Sequence, residues 1–165
     1  MSFIIKGGGV IINTSIVGNN VSSPPGGWSW TSFRDGDGTT SDLGGGTWRI
    51  VGPNDGSGNG WTVIKALAPS AGTLSVSFSW STIDALFYDW PFYYVGATEP
   101  TNANIASFAG IAPGNIVNSS PQSGVVNVPY NSGNWVAFAI YSTDTTTGAG
   151  TIDLTGLPGT IATVP

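Results

Sequence analysis

The sequence contains neither histidine nor cysteine. That removes the commonest general base, the Ser–His nucleophile pair and the usual transition-metal ligands. Acid–base chemistry would have to rest on carboxylates. Asp84 and Asp89 flank an aromatic run, and a carboxylate pair beside rings that stack on sugar is what a glycosidase uses. Against this, Asp84 falls at a strand end and Asp89 within a turn-like Tyr-Asp-Trp-Pro, both ordinary places for a capping or turn-stabilising aspartate. No catalytic residue and no cofactor are assigned, and the chain is expected not to be an enzyme.

Calcium is the one metal with candidate ligands. Asp55, Ser57 and Asn59 place oxygens at the first, third and fifth positions of a calcium loop, with Gly60 at the sixth. The bidentate glutamate that such a loop needs at its twelfth position is Ala66. A tight hairpin loop, with Asn and Gly accepting positive φ, explains the same residues. A second acidic loop, Asp35-Gly36-Asp37-Gly38 with Asp42 nearby, reads the same way. If the two loops met in space, they could share a Ca²⁺ ion.

The third feature is the run Phe87, Tyr88, Trp90, Phe92, Tyr93, Tyr94. It has three readings: core and sandwich edge, a protein interface rich in Trp and Tyr, or a sugar-stacking platform with amides supplied by Asn102 and Asn104. Contact with protein is the first expectation and sugar the second.

These residues need a scaffold, and the pattern specifies one. Leu74, Val76, Phe78 and Trp80 alternate with Thr73, Ser75, Ser77 and Ser79, the period of a strand with one buried and one wet face. Similar short runs occur at Trp28–Arg34, Thr47–Val51, Trp61–Leu67, Phe92–Ala97, Gly124–Val128, Trp135–Thr143 and Thr151–Leu154. Gly-, Asn-, Asp- and Pro-rich loops separate them, and one helical turn is expected around Ile105–Gly110. The fold class is therefore all-β, an antiparallel jelly-roll-like β-sandwich. The strand Trp135–Tyr141 is apolar on both faces, which predicts cover from outside by an arm, a loop or another subunit.

Domain boundaries follow from punctuation. Residues 1–27 form an apolar, β-prone arm ending in Ser22-Ser23-Pro24-Pro25-Gly26-Gly27, 28–157 the sandwich, and 158–165 a tail. The arm, with Phe3, Ile4, Ile5, Ile11 and Ile12, either adds to a neighbouring subunit as a strand or is the first strand of the sandwich. Charged residues are only 8% of the chain and the net charge is −5. Lys6, Arg34, Arg49 and Lys65 are scattered, so a nucleic-acid partner is not expected. Nor is a membrane, because no apolar run has spanning length and the N-terminus lacks the order of a signal peptide.

From Gly52 onward the chain resembles bacterial β-sandwich domains of extracellular proteins with PEP-CTERM sorting tails. The resemblance lies in GPNDGSGNG (52–60), GTLSVSFSWST (72–82), PQSGVVNVP (121–129) and VAFAIYSTDTTTGAGTIDL (136–154). It implies a sandwich and little about activity. Without an export signal or sorting tail, and with an apolar arm, the chain is also similar in style to the capsid decoration (cement) proteins of tailed bacteriophages. That resemblance implies a non-enzymatic virion protein, made in the host cytoplasm and carried on the capsid exterior. Its partners would be the major capsid protein and itself, as a homotrimer. The expected interface comprises the arm residues, the aromatic run and Trp135. The alternative is a carbohydrate- or receptor-binding module of a phage tail or bacterial surface protein.

Overall fold

A computed structural model describes residues 27–85, 88–109, 116–143 and 147–161. The arm residues Phe3, Ile4, Ile5, Ile11 and Ile12, and Phe87 of the aromatic run, lie outside the described residues.

The described residues form an all-β sandwich of two five-stranded sheets. Its strands are β1 (Ser29–Arg34), β2 (Thr39–Gly44), β3 (Thr47–Val51), β4 (Gly60–Leu67), β5 (Gly72–Ser81), β6 (Asp89–Gly96), β7 (Gln122–Tyr130), β8 (Trp135–Ser142), β9 (Thr151–Thr155) and β10 (Thr160–Ile161). A single turn of helix, α1 (Ala106–Ala109), sits between β6 and β7. The front sheet has the order β10-β1-β4-β8-β6 and the back sheet β2-β3-β9-β5-β7. From β3 to β9, successive strands alternate between the sheets, which is the jelly-roll manner of crossing the core. All pairings are antiparallel except β1–β10, which is parallel.

The alternation in β5 is realised strand-wide: Leu74, Val76, Phe78 and Trp80 are buried, and the intervening serines are exposed. They meet Trp30, Ile64, Val136, Phe138 and Ile140 of the front sheet in the main core, with Ile50, Ile152 and Leu154 beside them. The outer face of the back sheet is polar. Arg49 on β3 forms a fork with Asp153 on β9 there, with bonds of 2.7 and 2.8 Å. That hydrogen bond first, and the Asp153 charge second, raise the Arg49 pKa above its usual value.

Three elements differ from the expectation. β2, Thr-Thr-Ser-Asp-Leu-Gly, carries no apolar alternation because it is an edge strand whose side chains are mostly wet. β6 starts at Asp89 rather than Phe92, so the supposed Tyr-Asp-Trp-Pro turn is already strand. Residues 160–161 pair with Ser29 and Trp30, so sheet continues beyond residue 157. Nearby, the Trp30 indole N–H donates to the Pro158 carbonyl at 2.7 Å.

The doubly apolar β8 has its outer cover. Its inward side chains Val136, Phe138 and Ile140 belong to the main core. Ala137 and Ala139 form a second cluster on the outer face with Val63, Phe92, Tyr94 and Ile105. Ile105 comes from the segment that follows β6, and Phe108 of α1 packs on Tyr94 with ring centroids 4.2 Å apart. A loop of the same chain is thus laid across the middle of the front sheet.

Candidate functional site

Strand parity decides which rings reach the outer front face. On β6, Trp90, Phe92 and Tyr94 point outward, while Asp89, Pro91, Tyr93 and Val95 point toward the back sheet; Tyr93 and Val95 pack against the main core. The register then aligns rows across the sheet. Trp90 is opposite Tyr141 on β8, and Tyr141 is opposite Trp61 on β4. These three rings form one row, with successive strands about 4.8 Å apart. Trp61 and Tyr141 are stacked, their planes 19° apart and their centroids 6.4 Å apart. All three are half-buried, so each keeps surface open to solvent while being held in place.

The next rows are covered. Phe92 and Tyr94 are buried beneath Ile105 and Phe108. The covering segment is pinned by Lys65, which rises from β4 between two rings, 4.8 Å from the Phe33 centroid and 5.3 Å from that of Trp135. Its ammonium donates to Glu99 Oε1 at 2.7 Å and to the Pro100 carbonyl at 2.6 Å. The segment then turns back on itself: Asn104 Oδ1 accepts from the Thr101 N–H, and Asn104 Nδ2 donates to the Glu99 carbonyl. That turn presents Asn102, whose Oδ1 accepts the Trp61 indole N–H at 3.1 Å. An amide therefore stands at one end of the aromatic row.

At the other end, β6 is locked by Asp89. Its carboxylate is 2% exposed and accepts from Ser142 Oγ at 2.6 Å and Thr82 Oγ1 at 2.7 Å. Thr82 is held in turn by Ser120, through its N–H and its carbonyl. Asp89 thus faces away from the rings and fixes the strand start that turns Trp90 outward. Asp84 Oδ1 accepts from the Ala85 N–H, and the Asp84 N–H donates to the same Thr82 Oγ1 that Asp89 holds; with Asp89 buried, the two do not form an exposed carboxylate pair.

Of the residues singled out in the sequence, the structure brings Trp90, Phe92, Tyr94 and Trp135 to one face. It sends Tyr93 to the other side of the sheet, because neighbours on a strand alternate. Tyr88 is half-buried before β6, its carbonyl accepting from the Thr143 N–H. Asn102 belongs to the site, whereas Asn104 serves the turn. Trp61, Lys65 and Tyr141 were not singled out. The signal for them was present: Trp61 and Lys65 share one parity on β4, and Tyr141 shares that of Trp135, Ala137 and Ala139.

The two acidic loops do meet. Asp37 accepts from the Asn54 N–H at 2.6 Å, and a Cβ on Gly36 would lie against the Asp55 carboxylate. Asp55 Oδ1 accepts from the Ser57 N–H at 2.9 Å. Asp55, Ser57 and Asn59 are all exposed. Among the described residues no group of three or more His, Cys, Asp or Glu is placed to hold a metal ion.

No family model matches the chain, and no curated protein matches it in sequence. Among solved structures, the chain is similar to the family 11 carbohydrate-binding module of the cellulosomal cellulase Lic26A-Cel5E of Clostridium thermocellum. The match covers 84% of this chain and 94% of that one, at 12% identity and a TM-score of 0.35.

Proposed function

We propose that this protein is a non-catalytic recognition module that holds a glycan chain against the row Trp90, Tyr141 and Trp61. The observation that carries this reading is the row itself: three half-exposed rings in register on neighbouring strands, with the Asn102 amide at its edge. Sugars offer C–H faces that pack on rings and hydroxyls that need donors and acceptors, and this surface supplies both. The rings are held before any ligand arrives, by the Asp89 anchor on one side and the Lys65-pinned segment on the other. Little ordering is therefore left to oppose binding.

Retention on immobilised polysaccharides, by affinity electrophoresis against a panel, tests the idea. Trp90→Ala and Tyr141→Ala should each weaken retention by about tenfold or more, the factor for losing about 1.4 kcal/mol of ring contact. Tyr93→Phe, on the inward side, should leave it unchanged. Wild-type protein that is retained on no glycan of a broad array would sink the proposal.

A second reading, contact with a protein such as a phage coat subunit, is favoured by one observation. Ile83 is 88% exposed in the loop that leads toward β6. Its side chain offers a sugar hydroxyl no hydrogen bond, whereas an apolar protein surface would remove it from water. In that case Ile83→Ser should reduce capsid binding in a sedimentation assay and leave glycan retention intact. Equal capsid binding by wild type and Ile83→Ser would count against this role.

A further inference from the structure

Among the described residues, every sheet edge but β7 carries a device that limits pairing with another chain. β10 has only two residues, and the open part of β1 ends in the charge of Arg34. β2 is broken by a register shift at Asp42, and β6 is met by the Ile116 N–H, which donates to the Pro91 carbonyl. Short strands, charges, bulges and cover are the usual protections of a sheet edge. β7 has none of these along its middle. It runs for nine residues, Gln-Ser-Gly-Val-Val-Asn-Val-Pro-Tyr, without a charge, and among the described residues it pairs only with β5.

Backbone parity decides which of its groups are open. In an antiparallel ladder a residue turns its N–H and C=O to one side, and its neighbours turn theirs to the other. The Gly156 N–H donates to the Gly46 carbonyl and the Gly52 N–H to the Gly150 carbonyl, so even-numbered positions along β9 face β3. The odd-numbered ones then face β5, where Asp153 is opposite Ser79 and Thr155 opposite Ser77. Even-numbered residues of β5 therefore face β7, and their partners there are Gln122, Gly124, Val126 and Val128. Ser123, Val125 and Asn127 are left directing their N–H and C=O groups away from the sheet. Pro129 shares their parity, and a residue without an N–H leaves no ladder bond unmade at an open edge.

The side chains follow the strand period. Val126 packs on the main core and Val128 is buried. Val125, opposite Ser77 on the polar outer face, is 59% exposed.

We propose that the β7 edge pairs with the β7 edge of a second copy, antiparallel across a two-fold axis centred on Val125. This register sets Val125 opposite Val125 and Ser123 opposite Asn127. Each such pair exchanges two hydrogen bonds, about six in all. Moving the axis by one residue either way puts Pro121 or Pro129 into a hydrogen-bonded pair and loses donors. The exposed valine is then covered by its own copy, and no charge on β7 opposes its like. Gly124 falls opposite Val126, so the closely spaced pairs between them are not crowded. A contact that is its own complement closes at two copies. The axis stands perpendicular to the sheet, so the front faces of both copies lie on one side and present two aromatic rows to one polysaccharide. That consequence rests on the glycan reading; the pairing itself does not.

The test is made on the full chain without glycan. Sedimentation velocity should show a concentration-dependent dimer of the 16.9 kDa chain. Val125→Lys sets like charges directly opposite each other and should weaken dimerisation by about tenfold or more. Mixing it with Val125→Glu should recover the dimer. The chain has no cysteine, so single cysteines read the register. Across a hydrogen-bonded pair the Cα atoms are about 5.5 Å apart, within disulfide reach, whereas two Ser123 residues would be about 14 Å apart along the strands. Val125→Cys should therefore oxidise to a covalent dimer at least about tenfold faster than Ser123→Cys. The proposal is overturned by wild-type protein that stays monomeric at about 1 mM, or by a dimer that Val125→Lys leaves unchanged. A dimer that Val125→Cys does not bridge would place another segment on β7 and overturn it too, as would Ser123→Cys bridging equally fast. If Val125→Lys loses its folded spectrum, the two cysteine variants decide.

Discussion

Lys65 offers a sharp test of how the front face is built. The ammonium is nearly buried, and it has four partners: the Glu99 carboxylate, the Pro100 carbonyl and the rings of Phe33 and Trp135. Lys65→Met keeps most of the stem and removes the charge. The Glu99 contact contributes little, about 0.2–1 kcal/mol, since that carboxylate side chain is 47% exposed and screened by solvent. The bond to the buried Pro100 carbonyl is worth more, about 1.5–3 kcal/mol for a charged donor. Ring contacts add about 0.5–1 kcal/mol each. The opposing term is the desolvation of the ammonium, which costs several kcal/mol and is relieved in the variant. We expect a net destabilisation of about 1–2 kcal/mol, a fall of roughly 2–8 °C in melting temperature for a domain of this size. Glu99→Gln should lose less than half as much. Thermal melting of both variants, with amide exchange over residues 99–105, checks this. Equal losses in the two variants would refute the reasoning, because the exposed carboxylate and not the buried carbonyl and rings would then be the anchor. So would unchanged exchange in Lys65→Met.

Other consequences follow from the same packing. Asp89→Ala removes the acceptor of two hydroxyls and should cost about 3 kcal/mol; denaturant unfolding should show it, and a loss under 1 kcal/mol would mean that Ser142 and Thr82 re-pair easily. A Cβ on Gly38 would overlap the buried Thr62 hydroxyl, so Gly38→Ala should cost about 1–3 kcal/mol. Adding Thr62→Ala should restore part of that loss, with a coupling of at least about 0.5 kcal/mol in the double-mutant cycle; strict additivity would show that the two residues do not touch. Trp90→Ala, taken from a half-buried position on the sheet surface, should lower stability by less than about 3 kcal/mol and leave the circular dichroism spectrum of the sandwich intact.

The sequence by itself determined the class of fold. Leu74 to Trp80 alternates so regularly that only one face can be buried, and β8 is apolar on both faces, so cover was required. Composition narrowed the chemistry as well, since a chain without histidine and with few cations has few ways to catalyse or to bind nucleic acid. The edge strand β2 was not legible, because a strand that buries little needs no pattern. Nor was the site. The aromatic run reads along the chain as one patch, yet parity sends Tyr93 inward and Trp90 outward. Register, a relation between strands distant in sequence, sets Trp90 beside Tyr141 and Trp61. Asp89 looked like a turn residue or an acid, and became an anchor only once Ser142 and Thr82 were brought to it from other strands. Local periodicity comes from the geometry of a single strand and can be read from neighbours in sequence. A row of rings across three strands exists only after non-local pairing, and that is what the tertiary structure decided.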